Sequence, residues 1–165
     1  MRMFALVFLL TFAGCATAHV QGSIYIARPP GEVFDMVADQ RNEPRYNPEM
    51  ETVELMTPEP VTTGSSFKVQ VRSRGGLMPM TVTYTEFQRP RRLGSHTTMD
   101  SMDISGTLTC TPEQRGTRFA WDWTLRPKGW LVLMGPMVGL MGSSQEERIW
   151  GALKKHLETQ PPAAP

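Results

Sequence analysis

The chain has 165 residues, with 17 basic and 16 acidic side chains and a formal net charge of +1. This length supports a single domain with a sizeable core, and the absence of a basic run argues against nucleic acid as the main partner. Neither Cys15 and Cys110 nor the three histidines show metal-ligand spacing, so we expect no metal, no disulfide and no cofactor.

The N-terminus has the pattern of an export signal over residues 1–18, with an early arginine, an apolar run and then small residues. Cys15 ends a sequence similar to a bacterial lipoprotein box, which predicts lipidation and a membrane tether. Cleavage after Ala18 is the alternative, and an incorrect start codon before a cytoplasmic domain is the third. If the export signal is real, we expect an exported protein. In either case we expect one domain over residues 19–160 and a disordered tail over residues 161–165.

The first elements of the domain are predicted to be one strand and two short helices. Residues 23–27 are rich in strand formers and end at a proline pair that cannot continue a strand. Val33, Phe34 and Val37 then follow at helical spacing, which predicts a helix over residues 30–38. Residues 39–46 are polar and contain one proline, which indicates a second short helix or a turn.

From residue 48 onward, apolar and polar residues alternate, as is typical of strands with one dry and one wet face. The alternating segments are residues 53–55, 67–71, 78–84, 93–99, 102–110 and 119–125. Turn signals such as Gly75-Gly76 and Arg89-Pro90 separate them closely enough to predict hairpins. We therefore predict an antiparallel meander.

The last long segment predicts an amphipathic helix that covers the sheet. Ile149, Leu153 and Leu157 recur at helical spacing, and charged residues fill the opposite side. Pro136 is tolerated only in a first helical turn or at a break, so we start the helix near that residue and end it at Glu158. Residues 130–134 form a separate short apolar piece.

Three motifs carry a resemblance to a known family. They are the IARPP run at residues 26–30, the NEPRYNPE run at residues 42–49 and the RPRRL run at residues 89–93. Together with the element order, they resemble the polyketide cyclase/dehydrase (SRPBCC) branch of the START-like superfamily over residues 23–158. The resemblance implies an α+β helix-grip fold, with a curved antiparallel seven-stranded sheet around a long C-terminal helix and two short helices after the first strand.

The resemblance also implies a cavity for a hydrophobic small molecule, such as a lipid, a sterol or a polyketide. An apolar sheet face wrapped about one helix supports the same expectation. The candidate lining residues are Met78, Met80, Val82, Tyr84, Ser95, Thr97, Met102, Ile104, Phe119, Trp121, Trp123, Met137, Met141, Ile149 and Leu153. The alternative is that these residues form a closed core.

Catalytic signals are sparse in the sequence. Alternation places Glu51 inward, and with Tyr84 it is the pair that we nominate for proton transfer. His96 falls on the outward parity, and His156 is expected to pack or cap the helix end. Two hypotheses stay open: non-catalytic binding of a hydrophobic molecule, and a cyclase, aromatase or dehydratase activity in the same cavity. A third is that residues 129–142 contact a membrane surface or a partner. The oligomeric state stays open.

Overall fold

The computed structural model describes residues 17–73 and 75–161, without the side chains of residues 135 and 136. Residues 1–16 of the predicted leader, with Cys15, and residues 162–165 of the predicted tail lie outside the described residues. The elements in chain order are strand β1 (Ala18–Ile26), helix α1 (Pro30–Ala38), a 3-10 helix (Gln40–Arg45), strands β2 (Met50–Leu55), β3 (Ser66–Ser73), β4 (Gly76–Gln88), β5 (Arg92–Thr98), β6 (Met102–Glu113) and β7 (Gly116–Pro127), a second 3-10 helix (Gly129–Met134) and helix α2 (Gly135–Thr159).

The strands form one seven-stranded antiparallel sheet in the order β1-β7-β6-β5-β4-β3-β2. Strands β2 to β7 are therefore a meander, and β1 closes the far edge by pairing with β7. Hairpins join successive strands, and at the β3–β4 turn Gly76 has a φ of +111°, which suits glycine because it has no Cβ. The predicted α+β helix-grip fold is confirmed.

Strand β1 is longer than the sequence pattern predicted. It begins at Ala18 and pairs with β7 along its whole length, from Ala18 opposite Leu125 to Ile26 opposite Thr117. The first part of this strand was not recognised in the sequence because Gly22 interrupts the alternation of apolar and polar residues. A Cβ at Gly22 would lie 2.3 Å from the Trp121 ring on β7, so only glycine leaves room for that indole.

The two short helices lie where the sequence predicted them. Pro30 occupies the first turn of α1, where its missing N–H costs nothing, and α1 buries Val33, Phe34 and Val37 against the sheet core. Asp39 then caps the 3-10 helix, because its carboxylate accepts a hydrogen bond of 3.0 Å from the Arg41 backbone N–H. Within the NEPRYNPE run that follows, Tyr46 and Asn47 are buried while Pro44, Arg45 and Pro48 are exposed.

Helix α2 packs across the concave face of the sheet. Its second half buries Leu153 and Leu157, as the apolar stripe predicted, and also Trp150, which was not part of that stripe; Ile149 is half-buried. The helix end is held to the end of β1, because the Glu158 carboxylate accepts a hydrogen bond of 2.8 Å from the Ala27 backbone N–H and Lys154 Nζ donates one of 2.8 Å to the Tyr25 carbonyl. The first half of α2 also lies close to the sheet, since a Cβ at Gly142 would lie 3.2 Å from Val20 and from Leu125.

Candidate functional site

A cavity of about 380 Å³ lies between the sheet and α2. This volume falls within the range of small-molecule sites in proteins. Its apolar lining comes from β1 to β7, the β5–β6 turn, the second 3-10 helix and α2. These residues are Val20, Met50, Val69, Val71, Met78, Met80, Val82, Leu93, Met99, Met102, Ile104, Leu108, Leu125, Leu131, Val138, Met141 and Ile149. Methionine recurs in this lining, and its flexible thioether lets such a surface adapt to different apolar shapes.

Most of the residues predicted to line a cavity do so. The predicted residues that the structure brings together around this space are Met78, Met80, Val82, Tyr84, Ser95, Thr97, Met102, Ile104, Trp123, Met141 and Ile149. They belong to β4, β5, β6, β7 and α2. For those on strands, alternation gave the correct face of the sheet, and for Met141 and Ile149 the helical spacing of α2 gave the correct side.

Phe119, Trp121 and Leu153 do not line the cavity, and that part of the prediction is wrong. The ring of Trp150 packs against Phe119 and Trp121, with centroid distances of 4.9 and 6.3 Å. Leu153 is fully buried in the same core. The second half of α2 closes directly over the first half of β7, so this region is filled. Alternation predicts the face of a strand but not how closely a helix approaches each point along it.

Met137 is also wrongly predicted, because it lies on the outer side of α2 with 53% of its surface exposed. The exposed large apolar side chains of residues 130–141 are Trp130, Val132, Leu133, Met137, Leu140 and Met141. Within residues 17–73 and 75–161, no helix is both long enough and apolar enough to cross a membrane.

Glu51 lies on the exposed face of β2, not inward as predicted, and its carboxylate pairs with Arg72 of β3. The cause is a β-bulge between Met50 and Thr52, which shifts the pairing register of β2 against β3. A bulge adds one residue and so inverts the alternation beyond it. Met50 is therefore buried and lines the cavity, while Glu51 faces solvent.

Two carboxylates lie at the cavity, and the first is that of Glu43, from the 3-10 helix Gln40–Arg45. Its Oε1 accepts a hydrogen bond of 2.8 Å from Asn47 Nδ2. Burial raises the pKa of Glu43 to about 7; the Asn47 hydrogen bond opposes this shift, and the nearby Glu146 adds to it. Glu43 is therefore a carboxyl group that both holds and releases a proton near neutral pH.

Glu146, from α2, is the second carboxylate at the cavity. Its Oε2 accepts hydrogen bonds from both indole N–H groups that border the space, Trp123 Nε1 at 2.9 Å and Trp150 Nε1 at 2.7 Å. Burial raises the pKa of Glu146, while the two indole bonds act in the opposite direction. The two rings hold this carboxyl in place on the cavity wall.

Tyr84, from the middle of β4, contributes a hydroxyl to the same space. The residue is 1% exposed, and its Oη makes no hydrogen bond of normal geometry among the described residues, although the Gln40 side chain lies close to it. Burial raises the pKa of Tyr84, with the nearby Gln40 side chain acting in the opposite direction, so the hydroxyl stays protonated at neutral pH and can donate as well as accept. A buried hydroxyl without a partner costs about 1 to 3 kcal/mol, which a bound ligand can recover.

His96 and His156 do not line the cavity. His96 is on the face of β5 opposite Thr97, and its Nδ1 lies 2.7 Å from Ser105 Oγ. His156 contacts Tyr46 near the end of α2, with ring centroids 6.4 Å apart. No group of three or more potential metal-ligating side chains occurs in the part of the chain that the structure describes.

Sequence reasoning missed Glu43 and Glu146, although weak signals for both existed. Glu146 precedes Trp150 by four residues, which places the two on one helix face, but the sequence assigned Glu146 to the wet side. Glu43 and Asn47 have the same spacing within the NEPRYNPE run. Nothing in the sequence distinguishes Glu43 from Glu49 of the same run, which pairs with Arg148 at the surface.

An antiparallel sheet around a C-terminal helix, with an apolar cavity between them, defines a helix-grip protein of the START-like class. A family model described as polyketide cyclase/dehydrase and lipid transport matches residues 17–158. The chain belongs to that family. The comparison with curated proteins gives no match.

Solved structures show the same fold at low sequence identity. A START superfamily protein from Mycobacterium smegmatis has a TM-score of 0.74 at 16% identity, over 85% of this chain and 97% of that one. A protein from Thermus thermophilus has a TM-score of 0.73 at 19% identity, over 85% and 97%. The Zhui aromatase/cyclase from Streptomyces sp. R1128 has a TM-score of 0.71 at 14% identity, over 86% and 94%.

Proposed function

We propose that this protein binds a hydrophobic small molecule in the cavity between the sheet and α2. The observation that carries the proposal is the cavity of about 380 Å³, with its apolar wall and a few polar groups at Glu43, Tyr84 and Glu146. Such a combination provides affinity through apolar burial and orientation through the polar groups. A lipid, a sterol or a polyketide-like molecule fits this description, and the family description is consistent with each.

The proposal predicts saturable binding that a cavity-filling substitution abolishes. Decanol, a neutral straight-chain alcohol, is expected to change the fluorescence of Trp123 and Trp150, which border the cavity. Thr97→Trp places an indole inside the cavity and is expected to weaken binding by about tenfold or more, because the ligand loses its apolar contacts. Fluorescence titration measures the change in tryptophan emission, and calorimetry on the same samples measures the affinity for decanol.

The adjacent position gives a matched control. Thr98 is exposed on the opposite face of β5, so Thr98→Trp carries the same indole outside the cavity and should bind decanol like the parent protein. Trp121→Phe should retain the fluorescence response, because Trp121 lies in the filled core rather than at the cavity. Equal binding by the Thr97→Trp and Thr98→Trp variants would contradict the proposal.

The second candidate is a cyclase, aromatase or dehydratase that acts in this cavity, and the observation that favours it is Glu43 beside Tyr84. A carboxylate with a pKa of about 7 can take a proton from a C–H next to a carbonyl group. The protonated Tyr84 hydroxyl can donate a hydrogen bond to the carbonyl oxygen as it gains negative charge. Glu43 thus takes the role that the sequence assigned to Glu51.

This candidate predicts that the protein accelerates proton exchange in a model ketone. Deuterium uptake by α-tetralone, followed by NMR in heavy water, should be faster with protein, and Glu43→Gln should reduce the acceleration by about a hundredfold. Glu49→Gln, at a surface ion pair with Arg148, should leave it unchanged. Exchange at the uncatalysed rate with the parent protein would exclude this role for Glu43.

A further inference from the structure

The charged groups that line the cavity are both acidic. Glu43 and Glu146 are part of the wall, together with the neutral polar residues Gln40, Asn47, Tyr84, Ser95, Thr97 and Gln145. No lysine, arginine or histidine lines the cavity in the described part of the chain. The ionisable groups of this apolar interior are therefore acidic, and no basic side chain among the described residues lines it to pair with them.

The hydrogen bonds within the protein use only one oxygen of each of the two carboxyl groups. Among the described residues, Asn47 bonds to Oε1 of Glu43, and the two indoles bond to Oε2 of Glu146. The second oxygen of each carboxyl group is therefore available to a ligand. Tyr84 adds a third polar group to this wall, since its Oη makes no hydrogen bond of normal geometry among the described residues and has only the Gln40 side chain close by.

We propose that the ligand carries an amino group, which binds where Glu43, Glu146 and Tyr84 meet the cavity, with its apolar body along the methionine-rich wall. The inference rests on the proposed binding function and specifies its ligand class. An ammonium group supplies three N–H donors, one for each free acceptor, and its charge offsets two neighbouring carboxylates.

The same arrangement discriminates against other amphiphiles. A ligand carboxylate would lie beside two acidic groups in a weakly solvated space with no basic side chain in its wall, and like charges in such surroundings repel strongly. A neutral alcohol offers one O–H donor and no charge, so it leaves acceptors unused. The expected order of affinity is therefore amine, then alcohol, then carboxylate.

Calorimetry with decylamine, decanol and decanoate at neutral pH tests this order, because the three compounds share one alkyl chain. Decylamine is expected to bind about tenfold more tightly than decanol, and decanoate about tenfold more weakly. Glu43→Gln and Glu146→Gln should each remove most of the preference for the amine, while the affinity for decanol stays within about threefold. The Thr97→Trp variant measures the nonspecific adsorption of each compound.

The outcomes separate the inference from the function on which it rests. If decanoate or decanol binds as tightly as decylamine at the site that Thr97→Trp blocks, the amine preference is overturned and the binding function stands. If the glutamine variants keep the full preference for decylamine, the assignment to Glu43 and Glu146 is overturned. If none of the three compounds binds at that site, both proposals fail.

Discussion

Replacing Leu153 by alanine is expected to lower the free energy of unfolding by about 2 to 5 kcal/mol. Leu153 is fully buried in the core between α2 and the sheet. Shortening it removes apolar contacts and leaves a void beside the packed aromatic rings of Phe119 and Trp150, which cannot collapse without moving the helix. Denaturant unfolding followed by circular dichroism measures the change.

Leu140 provides the control on the same helix. It is 74% exposed, so Leu140→Ala should change the free energy of unfolding by less than about 0.5 kcal/mol. A Leu153→Ala loss below about 1 kcal/mol, or one equal to that of Leu140→Ala, would mean that α2 does not pack as described.

The second large effect concerns the dependence of stability on pH. The pKa of Glu43 is about 7 in the folded protein and near its ordinary value of 4.5 in the unfolded chain. Below the lower value both states hold the proton, and Glu43 carries no penalty. As the pH rises toward 7, the unfolded chain releases its proton first, so the folded state loses relative stability. Above pH 7, where Glu43 is charged in both states, the folded state carries the full free-energy cost of burying that charge.

Glu43→Gln is therefore expected to stabilise the protein by roughly 3 kcal/mol in mildly alkaline buffer, and this gain should fall as the pH is lowered from 7 and become small only at about pH 4, below the ordinary pKa of a glutamate. The glutamine oxygen can still accept the hydrogen bond from Asn47, so the substitution removes the titration and keeps the contact. Unfolding curves at several pH values measure the difference between the two proteins. The same difference at every pH would contradict the burial of Glu43 at the cavity.

The fold was predictable from the sequence because its main determinants are periodic. Strands β3 to β7 each show one dry face in strict alternation, and short turns between them permit only an antiparallel meander. In α2, Leu153 and Leu157 have the spacing of a buried helix face. Pro136 fixes the start of that helix to within a few residues, because proline is tolerated only in a first helical turn.

The prediction of the site was less complete, because a site depends on distances between elements. Trp121 and Trp123 are equivalent in the alternation, yet α2 packs onto Trp121 and leaves a cavity at Trp123. The bulge in β2 reversed the expected side of Glu51, and no residue in that strand signals it. Glutamate is a residue type usually found at the protein surface, and only the three-dimensional fold places Glu43 and Glu146 at the apolar cavity.

Native mass spectrometry of the protein with decanol tests the central claim most directly, since it counts bound molecules per chain. The account predicts one decanol on the parent protein and on the Thr98→Trp variant, and none on the Thr97→Trp variant at the same concentration. A parent protein that takes up no decanol, or a Thr97→Trp variant that takes up as much as the parent, would contradict the claim that the cavity between the sheet and α2 is the binding site.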